Sequence, residues 1–92
     1  MALLDDVKKT LRVSNVAHDT EITDLIESAK ADLKISGIDV SLIVDTDLLI
    51  KRSIQLYCKA HFGYDNPDAE KFMNSYWSLK THLMLSGDYV VV

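Results

Sequence analysis

The sequence predicts an all-α protein: a small bundle of four helices, one short at the N-terminus and three longer, ending in an extended C-terminal tail at 88–92. Three observations predict it. Apolar residues recur at helical spacing in four separate stretches. Helix start and stop residues bound those stretches. No repeat, low-complexity tract or linker interrupts the chain, so residues 1–92 read as a single domain.

The first stretch starts at Leu3 and carries Leu4, Val7 and Leu11, with Asp5 and Asp6 early and Lys8, Lys9 and Arg12 late, the order a helix dipole favours. After the polar break SNVAHD comes a stripe of Ile22, Leu25, Ile26, Ala29 and Leu33, with Asp19 or Thr20 as N-cap and Gly37 just past the C-terminus. Residues 38–45 hold Ile38, Val40, Leu42, Ile43 and Val44 without helical order and read as a loop with buried anchors or a short extended piece. Asp47 or Thr46 caps a third helix that runs to Phe62 and stops at Gly63. Its apolar positions Leu48, Leu49, Ile50, Ile54, Leu56, Tyr57, Cys58 and Ala60 cover far more than one stripe, which marks it as the central helix. In YDNPD, Asn66 reads as N-cap and Pro67 as the first helical residue, with Asp68 and Glu70 at the positive end of the dipole. Ala69, Phe72, Met73, Tyr76, Leu79 and Leu83 then form the core face of a fourth helix, Trp77 and Met84 widen it, and Gly87 ends it. The expected core joins Leu25, Ala29, Ile54, Tyr57, Phe72 and Tyr76.

The chain has 92 residues, enough for one domain that removes roughly two thirds of its unfolded surface from water. Its net charge of −4 argues against a nucleic-acid binder, whose affinity comes largely from Lys and Arg on phosphates. Cys58 is the only cysteine and the N-terminus lacks signal-peptide order, which points to an intracellular protein. No apolar run approaches the roughly 18 residues a membrane span needs.

Motifs for chemistry are sparse. Cys58 and His61 share one helix face, but two ligands do not make a zinc site and no third group is placed to build a thiolate and base; a buried thiol beside a packed histidine is the better reading. Glu21, Asp24 and Glu27 lack the Glu-x-x-His of di-iron bundles and read as a solvated acidic face. All three glycines fall at helix ends, so no phosphate-cradling loop forms. No catalytic residue, metal ligand or cofactor is expected.

Charge placement is more informative. Residues 1–46 hold nine acids against five bases, and residues 47–92 hold five of each, so the acidic excess lies in the first half. Lys51, Arg52 and Lys59 form the one local basic patch. The tail SGDYVVV carries no charge after Asp88 and has high β-propensity from Tyr89, Val90, Val91 and Val92.

The segments LLDDVKKTLRVSN, HDTEITDLIESAKADLKISGI, IKRSIQLYCKAHFGYDNP and LKTHLMLSGDY, in this order and spacing, resemble the tailed-phage head-tail connector proteins, also called head-completion or adaptor proteins. The resemblance covers essentially the whole chain and rests on helix boundaries and apolar positions. It implies a virion protein without an active site, assembled in the host cytoplasm into a ring, generally dodecameric, beneath the portal. Such a ring extends the DNA channel, lets DNA pass without sequence-specific binding, and receives a stopper or tail-completion protein. The chain lacks the long polar extension that some relatives carry after the last helix.

Within that frame Asp24 and Glu27 are expected to meet Lys51, Arg52 and Lys59 of the next subunit, and Tyr89, Val90, Val91 and Val92 to dock on the portal or a neighbour. Two other classes compete. One is a small helical regulatory or DNA-binding module, for which the connection over 38–45 is longer than the usual turn of about three or four residues. The other is a four-helix ligand binder whose cavity Trp77, Tyr57 and Met84 would line.

Overall fold

Residues 48–61 carry apolar side chains around most of a helical circumference, and such a helix is stable in water only when other helices surround it. The computed structural model, which describes residues 3–44, 46–63 and 66–90, shows that arrangement. Helix α3 (Leu48–His61) packs against α1 (Leu3–Leu11), α2 (Asp19–Ile35) and α4 (Ala69–Leu85), and α1 also packs on α2. Single turns of 3-10 helix lie at Val16–His18 and Val40–Leu42, and the described residues contain no strand. Asp6 pairs with Lys51 near the starts of α1 and α3, so these two run parallel. His18 stacks edge-on against Phe62, and Tyr89 reaches Asp47, so α2 and α4 run the other way. The bundle is up-down-up-down.

Val7, Ile22, Ala29, Leu33, Ile50, Ile54, Cys58 and Tyr76 are completely buried. Of the expected core, Leu25, Tyr57 and Phe72 pack against it from its half-buried margin. Ser53 is the buried polar residue, and its hydroxyl donates to Leu49 O at 3.0 Å.

Local chemistry accounts for most boundaries. Asp47 Oδ1 accepts from the N–H groups of Leu49 and Ile50 at 3.0 and 3.1 Å, the N-cap the sequence predicts. At the end of α2, Gly37 N–H donates to Lys34 O and Ile38 N–H to Leu33 O, with Gly37 at φ 103°. These are the paired bonds of a Schellman motif, and buried Ile38 packs in the same core cluster as Leu33. Within 38–45, Ile38 is the buried anchor, Ile43 is half-buried, and Asp45 lies outside the described residues. The same bond pair ends α1: Arg12 N–H donates to Lys9 O and Val13 N–H to Lys8 O. Here Arg12, with φ 60°, stands where glycine is usual.

Four expectations need correction. Asp19 is the first residue of α2, preceded by His18, which makes no side-chain cap bond. The Asp19 carboxylate turns instead to Lys8 Nζ at 2.6 Å, joining α1 to α2, and Asn15 caps the preceding 3-10 turn, its side chain accepting from Ala17 N–H. Asn66 and Pro67 precede α4. Asn66 accepts from Asp68 N–H and donates to Lys59 O at 2.5 Å, a turn tied to the last part of α3. Gly87 does not end α4: Ser86 leaves the helix in extended conformation, and Gly87 lacks the left-handed backbone of a glycine cap. Lastly, Leu48, Leu49, Trp77 and Met84 were placed on core faces but are exposed. They sit where the neighbouring helices leave a side of α3 or α4 uncovered, and Trp77 and Met84 therefore line no interior cavity.

Ile54→Ala is expected to lower stability by about 2 to 5 kcal/mol, as loss of a buried large side chain does, read by urea denaturation. Arg12→Gly is expected to raise it by about 1 kcal/mol in the same assay, because the left-handed conformation penalises a side chain.

Candidate assembly surfaces

Tyr76 is completely buried in α4, so its hydroxyl needs a partner inside the protein. Asp32 of α2 supplies it. Tyr76 OH donates to Asp32 Oδ2 at 2.5 Å, and Lys80, one turn further along α4, reaches the same oxygen at 2.8 Å. The Tyr57 ring meets Tyr76 edge-on at 5.3 Å between centroids, and His61 lies 4.3 Å from Tyr57. Burial pushes the Asp32 carboxyl upward, but hydrogen bonds from Lys80 and Tyr76 and the nearby Lys80 and His61 charges outweigh it, so its pKa falls below the usual carboxylate value. Burial first, then the Asp32 carboxylate, raises the Tyr76 phenol. The same two causes, in the same order, raise Tyr57. The cluster therefore holds an ionised acid against neutral phenols and clamps α2 to α4. Asp32 carried no sequence motif and was legible only as one charge among several on its helix.

Cys58 and His61 do not form a pair. The thiol is completely buried, and burial pushes it up to about 12, whereas His61 is exposed and turned to Tyr57. Among the described residues no group of three or more His, Cys, Asp or Glu side chains comes together to hold a metal.

The charged candidates separate. Lys51 is taken by Asp6 of its own chain at 3.2 Å, and Lys59 Nζ lies 4.6 Å from the centre of the Phe72 ring, a cation–π contact. The basic patch read from helical spacing is thus divided between two seams of the bundle, and only Arg52 of the three is exposed. On α2, Asp24 is exposed and makes no ion pair among the described residues, while Glu27 approaches Lys30 at 3.6 Å.

The tail departs most from expectation. Tyr89 and Val90 lie against their own domain: Asp39 N–H donates to Tyr89 O at 2.8 Å, Val90 pairs with Ile38 in a single antiparallel bridge, and Tyr89 OH donates to Asp47 Oδ2 at 3.0 Å. A buried Ile38 and an unshared carboxylate edge on Asp47 give the aromatic ring and hydroxyl of Tyr89 a seat that the sequence pattern could not show. Val91 and Val92 lie outside the described residues.

The end of the bundle that gathers the C-termini of α2 and α4 and the N-terminus of α3 is rich in exposed apolar side chains. Ile35, Leu48 and Leu85 are 84, 76 and 82% exposed, and Val40, Val44, Leu49 and Met84 add to them. Single exposed leucines are ordinary, but several on one end form a surface suited to a partner. No described helix is long and apolar enough to cross a membrane.

An apolar end and charged flanks are surfaces of the kind through which proteins assemble. The family model described as Phage connector protein matches residues 3–90, nearly the whole chain, and the chain belongs to that family of bacteriophage head-tail connectors. It is thus a structural component of a virion, as the sequence resemblance implied. No curated protein and no solved structure matches it significantly. The connection between α2 and α3 spans residues 36–47, far beyond the turn of a helix-turn-helix.

Deleting Tyr89–Val92 is expected to lower the melting temperature by roughly 4 to 8 °C, the shift about 1 kcal/mol produces in a domain of this size. Tyr89→Phe should lose part of that through the Asp47 bond alone. For Asp32 the folded pKa is depressed, so its stabilisation is complete above the unfolded value of about 3.9 and fades as pH falls through the lower folded value. Urea midpoints measured below about pH 4 should fall less steeply in Asp32→Asn than in the parent protein.

Proposed function

We propose that this single domain, residues 1–92, is a head-tail connector subunit that assembles as a ring, dodecameric on the virion, beneath the portal. The ring lengthens the DNA channel and receives the stopper or tail-completion protein, and DNA passes through without sequence-specific contact. The observation that carries this reading is the exposed apolar end formed by Ile35, Leu48 and Leu85 on a chain of the connector family. A subunit acting by assembly needs apolar area for affinity and charge for register. The acidic side of the subunit contact is α2 at Asp24 and Glu27. Of the basic set, Lys51 is occupied by Asp6, which leaves Arg52 and Lys59 to face a neighbour.

Light scattering and negative-stain microscopy of the full chain, alone and with portal-bearing heads, test the proposal. Rings on the portal vertex are expected, and Leu48→Asp combined with Leu85→Asp should abolish them while the helical circular-dichroism signal persists. A protein that stays monomeric with portal and never joins heads sinks the reading.

A further inference from the structure

A cleft of about 290 Å³ opens where the C-terminus of α1, the last turns of α3 and the start of α4 meet. Arg12, Lys59, Leu11, Phe62 and Phe72 line it, together with Thr10 and Asn66. The neutral polar groups are already engaged: Thr10 donates to Asp6 O, and Asn66 uses both ends of its amide on Lys59 O and Asp68 N–H. Among the described residues neither Arg12 nor Lys59 has a carboxylate partner. Lys59 is held in place over the Phe72 ring. Arg12 occupies a left-handed position, φ 60°, where glycine would serve the backbone better, and its side chain makes no ion pair among the described residues.

We infer that this cleft is a carboxylate-binding site and that its occupant is the acidic face of α2, at Asp24 and Glu27, of a second copy of this chain. The inference rests on the ring reading above and moves the basic half of its subunit contact from Arg52 to Arg12, which lines the cleft with Lys59. Charge complementarity selects the occupant. The cleft gathers two cations that have no carboxylate partner among the described residues, where Asp24 likewise is exposed and makes no ion pair and Glu27 is 65% exposed at its side chain. A planar guanidinium takes a carboxylate with two parallel hydrogen bonds, and an adjacent ammonium holds a second one as a point charge. The cleft is walled by α1, α3 and α4, whereas the acids stand on the outer side of α2, so each subunit carries two unlike patches. Unlike patches give the repeating heterologous contact that closes a ring. Nucleic-acid phosphate fits the same cations, but a chain of net charge −4 repels a polyanion.

Four variants of the full chain test this: Arg12→Gly, Arg12→Asp, Asp24→Arg, and the exchange Arg12→Asp with Asp24→Arg. Sedimentation velocity and head-joining are read against concentration, with melting temperature as the check on folding. Arg12→Gly should melt at or above the parent temperature yet need about tenfold more protein for half-assembly, and each single reversal should assemble worse still. The exchange should restore assembly to near the parent level. Normal assembly by Arg12→Asp, or an exchange no better than its single reversals, overturns the contact while leaving the ring intact. Failure of the parent protein to assemble even on portal-bearing heads overturns the ring reading and this contact together. Binding of a short random-sequence duplex that Arg12→Gly weakens, with assembly unchanged, would reassign the cleft to phosphate.

Discussion

The structure depends on the burial of α3. Ile50, Ser53, Ile54, Leu56, Cys58 and Ala60 are enclosed on different sides of one helix, which requires three other helices around it. That demand also determines where the charges of α3 go. On a helix covered on several sides, a lysine keeps its ammonium wet by extending its stem along a seam between neighbours. Lys51 follows the seam with α1 to Asp6, and Lys59 follows the seam with α4 to the Phe72 ring. Charges that share one arc of an isolated helix are therefore dispersed in the bundle.

The two ends of the bundle are built differently. At one, Asp47 caps α3 with one carboxylate and also receives the Tyr89 hydroxyl, while Ile38 closes α2 and pairs with Val90. A single small junction thus joins the start of α3, the exit of α2 and the chain beyond α4. Around it stand the exposed apolar side chains Ile35, Leu48 and Leu85. The other end is held by Asn66 on Lys59 O and by the left-handed turn at Arg12. A subunit with dissimilar ends and dissimilar flanks suits directional assembly, in which each surface meets a different partner.

Between these ends the buried phenol of Tyr76 imposes its own order. Its hydroxyl draws Asp32 toward the core and Lys80 follows, so that one ion pair and one charge-assisted hydrogen bond from a phenol share a single carboxylate oxygen. Such a site restrains the angle between α2 and α4 because both partners must stay satisfied together.

Helix number, order and approximate length were legible in the sequence, because a 3.6-residue apolar period and capping residues such as Asp47 and Gly37 act within a few residues of where they stand. The family was legible for the same reason, through the order and spacing of those helices. What lay beyond the sequence were choices among equivalent residues. Asp19 leaves its capping role because Lys8, on another helix, offers a charge. Leu48 and Trp77 match their helices' apolar pattern as well as Ile54 or Tyr76 does, yet only the placement of neighbouring helices decides which are covered. Lys51 and Lys59 lose their shared face to partners on α1 and α4. Tyr89 reads as a free strand-forming tail until the fold brings Asp39 and Asp47 beside it. Local periodicity determines the elements, since helix formation is governed by near neighbours; tertiary packing decides which side chains meet, since those contacts join residues that no short stretch of sequence holds together.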